Sequence, residues 1–331
     1  MRSNYEVEFS VIIPYFNDMD TIESCLQSVT NQVYPPAEVF VIDDHSEDFR
    51  FIQDLCHKYE VRLIRNESNM GSGNSRNLGI LAASKKFVAL LDADDMWDCR
   101  HLEIHSKLWK MAGGKVSVIG TKMRVIKSQN SHFFDNNLSS SEVELELRYL
   151  RPSDVAVKNP FFNSATSIFL SNPSKTTYYS AINPTYCEDY GLLYSFLRDG
   201  YQIGLSNAVT GTYLHRENSK SSKFQEVFSS RISVSLALIT LDNVDSKLIR
   251  LKSWFVAYLV FLSSIKSQLN SGQDFSELSH VYFRGKFTFR LFLIAFRSRI
   301  LWSILLSLNR FIGQKFMLRV MHRRNQFRNS L

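Results

Sequence analysis

The sequence comprises 331 residues, 44% of them hydrophobic, with 39 Lys and Arg against 32 Asp and Glu. This is enough apolar side chain for a substantial core; it excludes a disordered chain and fits one large domain with an appendage, or two medium domains. The net charge of +7 is uneven, because Val281–Leu331 carries 11 Lys and Arg and no acid, leaving a slightly acidic body and a strongly basic tail.

The start, MRSNYEVEFSVIIP, has acids where a signal peptide has a positive region, so a cytosolic start is expected. Phe9–Ile13 (FSVII) predicts a strand stopped by Pro14, and Thr21–Val29 carries Ile22, Cys25, Leu26 and Val29 at helical spacing. Strand Val39–Ile42 ends in Asp43 and Asp44 and precedes a helix over Phe49–Tyr59. Val61–Ile64 is a third strand, Asn74–Ala83 a helix and Phe87–Leu91 a fourth strand. This alternation implies an α/β fold with a mainly parallel sheet covered on both faces, and ligands in such sheets bind beyond the carboxyl ends of the strands. Pro14, Asp43 and the Asp92 cluster therefore share one rim. Cys25, Cys56, Cys99 and Cys187 are scattered without a CxxC pair, as expected of reduced thiols.

The second part, from Lys115 to Tyr213, is less regular. Strands are expected over Val116–Val125 and Ala165–Leu170, with a polar loop over Ser128–Ser141 between them. CEDYGLLYSFLRDGY follows, in which Glu188 and Asp189 open a helix; acids in a first turn are favoured by the helix dipole in any case. From Phe224 the chain reads as helical and apolar, interrupted by Arg. Its longest uncharged run, Ser253–Ile265, falls short of the roughly 20 residues that span a bilayer. Phe, Leu, Ile and Trp mixed with Arg and no acid is the composition of helices lying on an anionic membrane, whereas helices packed on the body or a partner would not need to lack acids.

Three aspartates in KKFVALLDADDMW (Asp92, Asp94, Asp95) follow directly on an apolar strand. Carboxylates this dense repel one another and resist desolvation, so a compensating cation is expected. Oxygen ligands suit Mg²⁺ or Mn²⁺, which takes one or two carboxylates and completes its shell with water and substrate phosphates. A diphosphate is the ligand this chemistry calls for.

The stretches SVIIPYFN, VFVIDDHSED, NMGSGNSRNLGI, LLDADDMW and CEDYGLLYSFLRDGY occur in that order. At these residues the chain resembles the family 2 glycosyltransferases, inverting enzymes of the GT-A fold that use nucleotide-activated sugars, and the resemblance covers Phe9–Ser219. It implies a GT-A domain over 1–223, with a nucleotide-binding part over 1–114 and an acceptor-side part over 115–223, followed by a helical, basic region over 224–331. It also implies a donor that is UDP-linked, a glycan or lipid-linked glycan acceptor, and a place on the cytosolic face of the inner membrane, with no nucleic acid partner.

The same resemblance implies residue roles. Asp43 would accept from the uracil N–H, with Pro14, Tyr15 and Asn17 lining the nucleotide pocket. Arg76 would lie near the nucleotide, and Gly71 and Gly73 would let their loop approach it. Asp94 would ligate Mn²⁺ or Mg²⁺, Asp92 would reach the ribose or the metal, and Asp95 would support them. Asp189, with Glu188 beside it, would supply the base that deprotonates the acceptor hydroxyl. The family's terminal His corresponds either to His215, a further candidate metal ligand, or to Arg216. His45 stands where the family commonly has Gly and receives no role.

Other readings fit less well. A dehalogenase-type phosphatase needs Thr or Val where Met96 stands, and GSGNSRNLG puts Arg76 at the third glycine of a dinucleotide-binding GxGxxG. A GT-A module that binds sugar nucleotide as a non-catalytic scaffold remains as the alternative, although a pure binder has no use for Asp189.

Overall fold

The computed structural model describes residues 6–127, 144–157, 160–170 and 188–215. The loop expected at Ser128–Ser141, together with Cys187, Arg216 and the basic region from Phe224 onward, lies outside the described residues.

The elements in chain order are β1 (Phe9–Tyr15), α1 (Ile22–Thr30), β2 (Glu38–Asp43), α2 (Phe49–Lys58), β3 (Arg62–Arg65), α3 (Ser72–Ala82) and β4 (Phe87–Leu90). They are followed by β5 (Met96–Trp97), α4 (His101–Ala112), β6 (Val118–Lys127), β7 (Arg148–Leu150), α5 (Pro152–Val157), a 3-10 turn at Asn163–Ala165, β8 (Thr166–Phe169), α6 (Glu188–Arg198) and β9 (Ile203–His215). The first seven occupy the positions that periodicity predicts, with ends displaced by one or two residues. Helix α4, the short strands β5 and β7, and helix α5 carry no such expectation.

These strands form one sheet in the order β3-β2-β1-β4-β8-β6-β9-β5, with β7 also paired to β9. The β3-β2-β1-β4 half is wholly parallel. The other half is mixed, because β8 runs antiparallel to β4 and β6, and β9 runs antiparallel to β5 and β7 while parallel to β6. Strand β1 does not stop at Pro14 but continues to Tyr15. Its register with β4 ends at Ile12, so the donor that proline lacks falls beyond that ladder.

Alternation along β1 feeds two cores. Phe9, Val11, Ile13 and Tyr15 pack with Ile22, Cys25, Leu26 and Val29 of α1, Ile52 and Leu55 of α2, and Leu102, Leu108 and Trp109 of α4. Ile12 faces the opposite side, with Ile80 of α3 and Leu192, Leu193 and Phe196 of α6. Helix α3 lies unusually close to the sheet at Gly79, where a β-carbon would sit 2.4 Å from Ile12 Cγ2. Helix α2 is capped by Asp48, whose carboxylate accepts from the Phe51 amide at 3.1 Å. Cys25, Cys56 and Cys99 are free thiols, and burial pushes Cys56 up to about 12. A thiol with that pKa is not a nucleophile at neutral pH.

Candidate functional site

The parallel half places the ends of β1, β2 and β4 side by side, and two interlocked loops cover the first two. Asn17, at φ +50°, donates its amide to Ser46 Oγ at 3.1 Å and accepts the Glu47 amide on Oδ1 at 2.9 Å. Its side-chain oxygen thus fastens the β1 loop to the β2 loop. Asp43 is fully buried, and its Oδ1 accepts the Ser46 amide at 3.0 Å. Its Oδ2 lies 3.4 Å from Arg65 Nε and has no hydrogen bond among the described residues, so one acceptor remains open in a buried carboxylate.

Tyr15 is buried against this group, and burial, then the Asp43 charge, raises its hydroxyl to about 12. Phe16, next in sequence, is 47% exposed on the same rim. Phe16 carries no expectation from the sequence, although an aromatic residue one step beyond a strand end is the available signal.

Asp44 performs a different task from its neighbour. Its Oδ1 accepts Asn66 Nδ2 at 2.7 Å and the Met70 amide at 2.8 Å, while Oδ2 accepts the Gly71 amide at 2.7 Å. Asp44 thereby shapes the loop into α3. Gly71 takes φ +86° there, and Gly73 falls within the first turn of the helix, not in the loop. His45 occupies a left-handed position at φ +66°, which explains why a glycine suits that turn.

The three aspartates after β4 separate by environment. Asp92 and Asp94 are partly exposed, whereas Asp95 is 1% exposed with both oxygens engaged: Oδ2 accepts from Ser164 Oγ at 2.5 Å and Oδ1 from the Leu214 amide at 3.1 Å. Burial, then the charges of Asp94 and Asp92, pushes the Asp95 carboxyl well above its ordinary value. Ser164 also accepts the Asp92 amide at 3.0 Å, and its carbonyl accepts Trp97 Nε1 at 2.5 Å. Asp95 is therefore a brace between the acidic loop and β9, and it brings His215 to within one residue of that loop.

Arg76 is 3% exposed and donates to Asp92 Oδ1 at 2.5 Å through Nη2 and to Glu188 Oε1 at 3.0 Å through Nη1. One guanidinium thus joins the end of β4 to the start of α6, which carries Glu188 and Asp189 in its first turn.

Among the described residues no group of three or more His, Cys, Asp and Glu is placed to hold a metal. The pair Asp92 and Asp94 nevertheless fits the demand of Mg²⁺ or Mn²⁺ for one or two carboxylates with phosphate and water completing the shell.

Residues 10–166 match the profile described as Glycosyl transferase family 2. The chain carries a family 2 glycosyltransferase domain. The UDP-Glc:alpha-D-GlcNAc-diphosphoundecaprenol beta-1,3-glucosyltransferase WfgD of Escherichia coli is 36% identical to it over 96 residues, covering 29% of this chain and 38% of that protein. The amylovoran biosynthesis glycosyltransferase AmsB of Erwinia amylovora is 29% identical over 129 residues, covering 38% of this chain and 42% of that protein. The matched segments span between 20% and 42% of the curated relatives' lengths. In fold, the family 2 domain is similar to S. aureus TarS in complex with UDP-GlcNAc, at TM-score 0.54 and 18% identity over 77% of this chain and 72% of that one. The mannosyltransferase PcManGT of Pyrobaculum calidifontis, in complex with GDP-Man and Mn2+, superposes at TM-score 0.51 and 14% identity over 87% and 85%. The architecture is GT-A.

Proposed function

We propose that this protein is an inverting, metal-dependent glycosyltransferase that moves a sugar from a UDP-sugar to a hydroxyl of a glycan, itself carried on a lipid, in bacterial cell-surface polysaccharide synthesis. The observation that carries this reading is the sharing of Arg76 between Asp92 and Glu188, which joins a diphosphate-binding rim to a helix bearing a base. A UDP-sugar donor and a lipid diphosphate acceptor are the substrates in the name of the E. coli relative, and they fit this rim.

The uracil N–H goes to the open oxygen of Asp43, and the exposed ring of Phe16 stacks on the base. Asp94, with Asp92, would hold Mn²⁺ or Mg²⁺, which when bound neutralises the charge that builds on the leaving diphosphate. Asp189 takes the proton of the acceptor hydroxyl as its oxygen bonds to the anomeric carbon. The bond from that carbon to the diphosphate breaks on the opposite face, and UDP departs with the electron pair, which inverts the configuration. His215, next to Leu214 on β9, is the further candidate ligand of the metal ion.

Calorimetric titration of UDP with and without Mn²⁺ tests the donor site. The reading expects Mn²⁺-dependent binding that Asp94→Ala abolishes; equal binding by that variant would contradict it. The basic segment 281–331 motivates membrane association. Deleting it is expected to abolish flotation with anionic vesicles, and unchanged flotation would remove that part of the reading.

A further inference from the structure

Resting on the reading of α6 as the helix that carries the base, we propose that Glu188 is a positioning residue and that Ser72, Arg76 and Glu188 form a clamp seating the first turn of α6 on the first turn of α3. Both Ser72 Oγ and Arg76 Nη1 donate to the same oxygen, Glu188 Oε1, the latter at 3.0 Å. Ser72 and Arg76 are four residues apart on α3, hence on one face of that helix. An oxygen that accepts two donors, one of them a buried cation, is poorly placed to receive the proton of an acceptor hydroxyl.

The other end of the clamp reaches the donor side. Arg76 Nη2 binds Asp92, so the guanidinium that fixes α6 also fixes the acidic loop. Along their lengths α3 and α6 share the core of Ile80, Leu192, Leu193 and Phe196, which has no directional preference; the clamp supplies the direction at the tips. Lysine could not replace Arg76, because one ammonium lacks the planar fork that spans two carboxylates. Arg76 thus acts through Asp92 and Glu188.

Glutamine at 188 keeps a carbonyl acceptor for Ser72 and Arg76, whereas alanine does not, so the two substitutions separate positioning from proton transfer. The test uses the full chain with UDP-glucose or UDP-GlcNAc and Mn²⁺, following UDP release across pH. Glu188→Gln should retain kcat within about tenfold of wild type, with the donor KM and the acid limb of the pH profile unchanged, and Glu188→Ala should fall at least about tenfold further. Glu188→Gln as inactive as Glu188→Ala, or loss of the acid limb in it, would overturn the proposal by making Glu188 the base. If the wild-type protein releases no UDP, the functional reading fails, and the clamp is then decided by urea unfolding of Ser72→Ala, Glu188→Ala and the double variant. A double variant less destabilised than the sum of the singles supports the clamp; additivity overturns it.

Discussion

Asp43 and Asp44 are adjacent, both buried and chemically identical, yet their surroundings give them opposite tasks. Asp43 keeps one oxygen without a hydrogen bond among the described residues, whereas Asp44 accepts three donors and holds the loop into α3. Asp44→Ala strands the Met70 and Gly71 amides and should cost about 3 kcal/mol in urea unfolding, with UDP affinity falling as that loop loses its shape. His45→Gly, one residue on, should stabilise the fold by up to about 1 kcal/mol and raise Tm, since it relieves a left-handed conformation at some cost in chain entropy. The sequence places both aspartates at the end of a strand and cannot tell them apart, because the partners of Asp44 lie more than 20 residues away. The same holds for Asp95, which the DADD pattern groups with Asp92 and Asp94 and which folding turns inward to Ser164. Ser164 sits in an irregular segment with no periodicity to mark it.

At the scale of elements, β1 to β4 and their helices are legible because each buries a face that repeats along a local stretch of chain. Strand β5 has only two residues and exists because β9 pairs with it, a contact across more than 100 residues that no local pattern announces. This pairing anchors the acidic loop from behind, and it depends on Gly211, where a β-carbon would stand 2.6 Å from the Met96 carbonyl oxygen. Gly211→Ala must push β5 off β9. It should destabilise the protein by about 2 kcal/mol and weaken Mn²⁺-dependent UDP binding more than it weakens UDP binding without metal, both measurable on one purified variant.

At the scale of the whole molecule, the sheet divides into a parallel half, to which the proposed function assigns the nucleotide, and a mixed half, to which it assigns the acceptor. A buried polar chain joins α4 to the mixed half. His101 stacks on Trp97 at 4.0 Å and on His105 at 4.4 Å, while His105 bonds Ser167 Oγ at 2.7 Å and Thr121 Oγ1 at 3.2 Å. Burial holds both imidazoles neutral, lowering His105 to about 3 and His101 well below its ordinary value. The unfolded chain takes up these two protons near pH 6.5 and the folded protein does not, so stability present above that pH is lost as pH falls. Asp95, raised by burial, has the opposite sign and reduces the slope. The net expectation is a fall in stability between about pH 6 and pH 5 of no more than about 2.7 kcal/mol per unit, the limit set by two protons, to be read from urea unfolding at each pH.

In the proposed reaction Asp189 deprotonates an acceptor hydroxyl while UDP leaves from the rim around Asp43 and Asp94. The most direct measurement is Mn²⁺-dependent turnover of UDP-sugars by Asp189→Asn beside calorimetric UDP binding on the same preparation. Unchanged UDP affinity with turnover lower by about a hundredfold or more is expected. Wild-type turnover by a folded, UDP-binding Asp189→Asn protein would contradict it.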